Sequence, residues 1–444
     1  MENNWEFISF SDAPIDIIDG DRGRNYPKQD DFFPEGYCLF LNTGNVTSEG
    51  FDFNNCSFIT QEKDNQLRKG KLLRNDIVLT TRGTIGNTAF FNQKVPYENV
   101  RINSGMVILR PDSKYIEPQF LYMYVRSKLF KNQISSLSTG SAQPQIPIRD
   151  LNRITLPLPP KSEQIAIAAI LGALDDKIEL NRKMNQTLEE MARAIFKSWF
   201  IDFDPVRYKA TGQEPPGLAP HIADLFPDKL RKTDGSELPD GWHSTNLSDI
   251  VHVNPPRKVP KGALATYLDM ANMPTQGPSP LSWTKRHFSS GMKFINGDTL
   301  VARITPCLEN GKTAFIDFLD KDETGWGSTE YIVLRPHDPI PPVFAYLLAR
   351  NNSFRSYAIQ QMSGSSGRQR VTAKSISMFK VSVPNKENKI FDVFGKVVNS
   401  LFDKISNNMQ QIRTLTEIRD TLLPKLISGE LRVPDAERIA SRYL

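Results

Sequence analysis

Cysteine is scarce in this chain: Cys38, Cys56 and Cys307 are the only three in 444 residues. They are odd in number, widely scattered and match no CxxC spacing for zinc or redox chemistry, which fits a reducing cytoplasm. Long hydrophobic runs are missing as well, since none approaches the roughly 18 residues of a membrane helix. The opening Met1-Glu2-Asn3-Asn4-Trp5 has no basic region followed by an apolar core, so a soluble, unexported, cytoplasmic protein without membrane association is expected. The five histidines, His221, His243, His252, His287 and His337, form no HExxH and no close pair with a carboxylate. Charge of one sign is also modest, at +5 with a pI near 8.9. That lies below the value of about 9 that would by itself mark a nucleic-acid-binding domain, so DNA is permitted but not demanded.

Two near-motifs fail on inspection. Asn254-Pro255-Pro256-Arg257 is similar to the Asn-Pro-Pro-aromatic motif of amino-group DNA methyltransferases, in which the ring stacks on an extruded base. Here Arg257 stands where the ring belongs and no glycine-rich methyl-donor loop precedes it. Pro306-Cys307-Leu308-Glu309-Asn310-Gly311-Lys312-Thr313 nearly spells a phosphate-binding loop, but Pro306 replaces the glycine and contributes no amide to a phosphate. No catalytic constellation and no metal site is expected.

What the chain does contain is itself, twice. Trp5, Phe10 and Asp12 recur as Trp242, Leu247 and Asp249. Gly86-Asn87-Thr88-Ala89-Phe90 returns as Gly311-Lys312-Thr313-Ala314-Phe315, and Val107-Ile108-Leu109-Arg110-Pro111 as Ile332-Val333-Leu334-Arg335-Pro336. Leu174, Asp176-Lys177-Ile178, Leu188 and Ile195 answer to Leu401, Asp403-Lys404-Ile405, Leu415 and Leu422. So long a period is no solenoid; it is a duplicated unit of globular domain plus long helix. Short apolar runs between Gly, Asn and Asp turns predict strands, and the stripe from Phe120 to Ile134 predicts one helix packed on the sheet.

The fold class is α+β: two pseudo-symmetric mixed α/β domains separated by two long helices forming an antiparallel coiled coil. The expected boundaries are a first domain at 1–158, a helix at 159–204, an exposed Pro/Gly-rich connector at 205–237, a second domain at 238–384, a helix at 385–430 and a loosely held charged tail at 431–444. Apolar steps of three and four place Leu174, Ile178, Asn181, Leu188 and Ile195 on one seam and Leu401, Ile405, Asn408, Leu415 and Leu422 on the other. Asn181 and Asn408 occupy equivalent seam positions and are expected to meet, fixing register. Residues 171 to 199 would span about 42 Å as a helix, against a B-DNA turn of about 34–36 Å. Ile165, Ile170, Phe391 and Phe394 flank the seams and call for a covering partner.

Polar loops fall at matching places. Ser138-Thr139-Gly140-Ser141-Ala142-Gln143-Pro144-Gln145 corresponds to Ser363-Gly364-Ser365-Ser366-Gly367-Arg368-Gln369-Arg370. One such loop alone reads as solvated surface; repetition points to base contact through Thr139, Ser141, Gln143, Gln145, Ser365, Arg368, Gln369 and Arg370, since Gln pairs with adenine and Arg with guanine. Arg22, Arg24, Arg82, Arg257, Lys258 and Arg303 are candidates for phosphate contacts, as are Lys69, Lys71, Arg74, Lys285, Arg286 and Lys293.

Leu156-Pro157-Leu158-Pro159-Pro160-Lys161-Ser162-Glu163-Gln164-Ile165-Ala166, Trp199-Phe200-Ile201-Asp202-Phe203-Asp204-Pro205-Val206, Leu238-Pro239-Asp240-Gly241-Trp242 and the run from Arg419 to Leu431 carry a resemblance. They look very like the specificity subunit of type I restriction-modification systems, over essentially the whole chain. The resemblance implies two target-recognition domains, each reading half of a split, asymmetric double-stranded DNA site, held apart by the helical spacer. It also implies that two modification (methyltransferase) subunits dock on the helices and that restriction/translocase subunits then join. S-adenosylmethionine, ATP and magnesium would be used by those partners and no cofactor by this chain, which is expected to be non-catalytic on its own. The readings set against it are a self-contained adenine methyltransferase built on Asn254-Pro255-Pro256 and a coiled-coil scaffold without a DNA role.

Overall fold

The structure is a computed structural model that describes residues 5–137, 145–233, 236–280, 282–365, 367–385 and 389–443. It divides into two compact units, Met1–Glu179 with Arg413–Leu444, and Leu180–Ile412. Each unit contains one globular domain and a stretch of each long helix.

In the first unit, Glu6–Ser9 pairs antiparallel with Thr155–Leu158, tying the two ends of the domain together. The main sheet runs in the order Ile15–Asp19, Met106–Pro111, Ile77–Thr80, Thr88–Phe90. Ile77, Val78 and Leu79 are all buried, which explains a continuous apolar run in place of alternation: the strand is covered on both faces. A second sheet runs Phe58–Ile59, Cys38–Leu41, Val100–Ile102.

The second unit repeats the frame. Trp242–Asn246 pairs with Lys380–Pro384, and the main sheet runs Val251–Val253, Tyr331–Pro336, Thr299–Ala302, Thr313–Phe315. Its second sheet differs, with four strands in the order Thr284–His287, Leu264–Leu268, Gly325–Gly327, Met292–Phe294.

The repeated sequence signatures are structural parts of this frame. Gly86 and Gly311 both have positive φ (88° and 72°) in the approach to a strand whose alanine, Ala89 or Ala314, is fully buried, a turn that favours glycine. The arginine of each Leu-Arg-Pro run bonds a buried aspartate: Arg110 donates to Asp76 at 2.7–2.8 Å and Arg335 to Asp298 at 3.2 Å. A buried carboxylate requires such a partner.

The helix expected from 120 to 134 is two helices, Pro118–Arg126 and Lys128–Leu137, broken at Ser127. The second unit breaks at the same place, between Val343–Arg350 and Asn352–Gln360. Both break residues are extended, with ψ of 157° and 140°, and their side-chain oxygens accept from the new helix at Phe130 N and Ser353 N. They cap the second helix of each pair.

The long helices are Lys161–Phe200 and Ile390–Ser428. Pro159 and Pro160 stop regular structure ahead of the first helix. Within each unit their stretches run antiparallel. In the second unit Asn408 Nδ2 donates to Asn185 Oδ1 at 2.8 Å, while Phe200 packs on Phe391 and Phe394. In the first, Arg419 reaches Asp175 and Arg432 reaches Glu163.

The seam differs in detail from expectation. Asn408 meets Asn185, one turn beyond Asn181, and Asn181 instead donates to Gln411 at 3.1 Å. Leu174, Ile178, Ile405, Leu415 and Leu422 are buried, but Leu188, Ile195 and Leu401 are half-buried. Glu189 and Phe196 take the buried places beside Leu188 and Ile195 because this stretch also faces the globular domain, where Phe196 meets Phe344. Of the flanking residues, Ile170, Phe391 and Phe394 are covered internally and Ile165 is 49% exposed.

Two other expectations are overturned. Residues 205–237 are not an exposed linker: they hold helices Asp204–Ala210 and Pro220–Ala223 and the start of a hairpin, with Val206 and Phe226 buried in the cluster around Trp242. The apolar residues spaced among the prolines outweigh the breaker signal. The tail is a helix, Val433–Ala440, whose Ala436 and Ala440 are buried.

Candidate nucleic-acid interface

Each polar loop returns to the same point of its domain. In the first unit the Ile146 amide donates to Thr81 O at 3.0 Å, Gln145 bridges Arg82, and the amides of Thr81 and Arg82 both donate to Gly105 O. Arg22 donates to Ser104 O at 3.3 Å and pairs with Asp19. The fold therefore brings Arg22, Arg82 and Gln145 onto one rim, with Arg24 exposed nearby in sequence. Thr139, Ser141 and Gln143 lie outside the described residues.

In the second unit the Val371 amide donates to Arg303 O at 2.9 Å, Ile304 bridges Arg370, and the Arg303 amide donates to Glu330 O. The loop is a hairpin closed by two backbone bonds between Ser363 and Arg370. Ser365 and Arg368 are exposed on it and Gln369 is half-buried. Glu330 occupies the place of Gly105. It accepts from Arg370 Nε at 2.9–3.0 Å and Nη2 at 2.8 Å, and Arg303 Nε lies 3.8 Å away. The same frame thus carries Thr81, Gly105 and Gln145 in one domain and Arg303, Glu330 and Arg370 in the other.

Several predicted phosphate contacts are committed elsewhere. Arg257 grips buried Asp298 at 2.9–3.0 Å with its side chain only 18% exposed, so it braces the sheet; its neighbour Lys258 is exposed. Arg74 serves the carbonyls of Asn92, Val95 and Tyr97, and Lys71 serves Asp64. Arg286 lies over Tyr267 and Lys293 over Phe288. Lys285 pairs with Asp320, while Lys69 is exposed.

The near-motifs resolve into structural parts. Asn254, at φ 55°, accepts from the Val333 amide at 2.9 Å through its side chain, so its oxygen completes a strand ladder. Lys312 Nζ donates to Met270 O at 2.5 Å, and the amides of Asn310, Gly311 and Lys312 are taken by carbonyls of their own turn. A hollow of about 300 Å³ in the second unit is lined by Glu190, Arg193, Phe196, Lys197, Leu347 and Asn351 among others, without a nucleophile beside a base. Among the described residues no cluster of three metal-ligating side chains occurs and no helix is long and apolar enough to cross a membrane.

Sequence reasoning missed the docking of each domain on its helices. Tyr122 and Arg126 of the first domain are matched by Tyr346 and Arg350 of the second, the arginine lying over the tyrosine ring in both. Arg126 pairs with Asp175, which also holds Arg419. Arg350 donates to Tyr346 Oη, whose hydroxyl is 2.6 Å from buried Glu189. Burial pushes the Tyr346 hydroxyl well above its ordinary pKa. The position of Asp175 is taken in the second helix by Phe402, which packs on Tyr346 and Phe315. A charged residue on a long helix reads as solvated, which hid Glu189; the repeated Tyr-x-x-x-Arg spacing was the available signal.

A duplicated sheet frame, with polar loops returning to equivalent rims and a long helix after each copy, defines a two-domain recognition protein. The chain belongs to the type I restriction modification DNA specificity domain family, which matches residues 4–190 and 239–413. It is 27% identical to the type I restriction enzyme HindI specificity subunit of Haemophilus influenzae, over 93% of this chain and 98% of that protein. The MjaIX specificity subunit of Methanocaldococcus jannaschii is 28% identical over 81% of this chain and 78% of its own length. The crystal structure of a type I restriction-modification S subunit from M. genitalium shares the fold, with a TM-score of 0.56 at 17% identity over 96% of this chain and 97% of that one.

Proposed function

We propose that this chain is the non-catalytic DNA-specificity subunit of a type I restriction-modification complex, and that its two domains read the unequal halves of a bipartite, asymmetric duplex site. The observation that carries the reading is the duplicated rim. One backbone frame presents Thr81, Gly105 and Gln145 in the first domain and Arg303, Glu330 and Arg370 in the second. A shared frame with exchanged side chains suits two readers of different sequence, because phosphate contacts position and base-edge contacts specify. Two modification subunits would dock on the long helices and restriction/translocase subunits would join them in the cytoplasm. The chemistry, with S-adenosylmethionine, ATP and magnesium, would belong to those partners. A self-contained methyltransferase is disfavoured because the Asn254 side-chain oxygen already accepts from Val333.

The test is methylation mapping by long-read sequencing in cells carrying this gene with and without its first globular domain exchanged for an unrelated one. A split adenine-methylated motif that changes in one half only is the expected result. A motif that does not change, or no motif at all, would overturn the proposal.

A further inference from the structure

The second rim differs from the first in holding a carboxylate between two guanidinium groups. Arg370 has five N–H hydrogens. Glu330 takes the one on Nε and one on Nη2, and Arg368 O takes one on Nη1 at 3.1 Å. Among the described residues, that leaves one hydrogen on each terminal nitrogen. The Arg370 side chain is 38% exposed, so these donors can be met from outside. Arg303 backs the same carboxylate, leaving the trio with one net positive charge.

A guanidinium clamped through its side edge and presenting two terminal donors matches the O6 and N7 acceptor pair of guanine in the major groove. Freezing the side chain before contact also lowers the entropy lost on binding. Gly105 in the first domain offers no equivalent clamp for Gln145. We infer that Arg370 reads a guanine in the half-site of the second domain and that Glu330 is a positioning residue that sets the angle of its fork. This rests on the DNA-specificity reading above and deepens it for one domain.

The complete complex with its modification subunits is assayed for binding to its mapped target, with each guanine of the second half replaced in turn by 7-deazaguanine, which lacks the N7 acceptor. One replacement is expected to weaken binding roughly 5- to 150-fold, the span that a good bidentate pair discriminates. Arg370→Ala should bind the normal and 7-deaza targets equally. Arg370→Lys, which keeps the charge but not the planar fork, should lose the same discrimination. Glu330→Gln should reduce discrimination at that guanine alone and leave discrimination at the other bases of the half-site unchanged.

A second half-site without a sensitive guanine, or sensitivity that persists in Arg370→Ala, would overturn the inference. If Arg370→Ala does not fold, Arg370→Lys and the wild-type 7-deaza scan decide. Failure of the wider reading looks different: the domain exchange would then leave the motif intact, whereas failure here alone leaves a split motif with an insensitive second half.

Discussion

Glu189 offers a direct test of how the second domain is seated. Its carboxylate is buried, 2.6 Å from the hydroxyl of fully buried Tyr346, and Arg350 Nε lies 3.9 Å away. Tyr346→Phe removes two hydrogen bonds, the one its hydroxyl donates to the Glu189 carboxylate and the one it accepts from Arg350 Nε, each of a kind worth about 1.5–3 kcal/mol because one partner is charged. Glu189→Ala removes the first of these bonds and the packing of the side chain. It does not strand Arg350, whose terminal nitrogens already serve the carbonyls of Thr275, Gly277, Gly311 and Thr313. The expected cost is therefore about 2–3 kcal/mol, below the figure for an orphaned buried charge. Glu189→Gln keeps an acceptor and should cost about 1 kcal/mol. Because both single changes break the same hydroxyl–carboxylate bond, the double variant should cost less than their sum, with a coupling of about 1–2 kcal/mol. Trp199, Trp242, Trp283 and Trp326 all lie in this unit, against Trp5 alone in the other, so tryptophan fluorescence in a urea titration reports its unfolding. A loss of 2 kcal/mol would lower its melting temperature by about 4–8 °C. Additive costs, or Glu189→Gln as damaging as Glu189→Ala, would refute the assignment of the energy to the hydroxyl–carboxylate bond.

Asn408→Leu should destabilise by about 1–3 kcal/mol, because Asn185 Oδ1 loses its donor in a buried place; pairing it with Asn185→Leu should recover most of that in the same titration, and no recovery would contradict the account. His337, its ring centroid 4.0 Å from that of His252, has its pKa lowered by burial and by that neighbour. The folded state thus prefers the neutral ring, so stability is fully present above the ordinary value of 6.5 and falls as pH drops through it toward the lower folded pKa. His337→Gln should flatten the urea midpoint between about pH 7.5 and about pH 5, and an unchanged slope would count against it. Burial, with Asp64 close by, pushes the Cys38 thiol up to about 12, so a thiol reagent at about pH 8 should reach Cys38 only after unfolding; reaction of all three cysteines at one rate in the native protein would refute this.

The sequence was most legible where one physical rule dominates. The duplication, the long helices and the shared order of globular segment then helix follow from periodicity and repetition. Asn181 and Asn408 lie on buried faces, as the seam predicts, yet their partners lie one turn away, because a heptad pattern names the face but tolerates a shift by a turn when another Asn stands at position 185. Residues 205–237 read as a linker because Pro and Gly punctuate compact short helices as readily as open linkers; buried Phe226 is the apolar residue that decides it. The two polar loops are legible as a repeat, but Glu330 is not: it lies far from Arg370 in sequence and enters through the pairing of Arg303 with the end of a strand. Charge alone points Arg257 at phosphate, and only the buried Asp298 shows where that charge is spent.

The pairing of Arg126 with Asp175 has a bearing on how such genes recombine. A crossover placed at Pro159, where the globular segment ends in sequence, would deliver Arg126 to a new chain and leave its carboxylate behind. A functional exchange of the first domain is better cut past Asp176, which also holds Lys94, so that the incoming domain travels with its own counter-ions. Among the described residues, Arg350 of the second domain pairs with no acid that follows the domain in sequence. Its acid, Glu189, precedes it, and the residue that follows it at the matching place is the ring of Phe402. A copy of either domain moved to the other slot would meet the wrong chemistry on the helix beneath it, so traffic of domains between genes should respect position as well as homology.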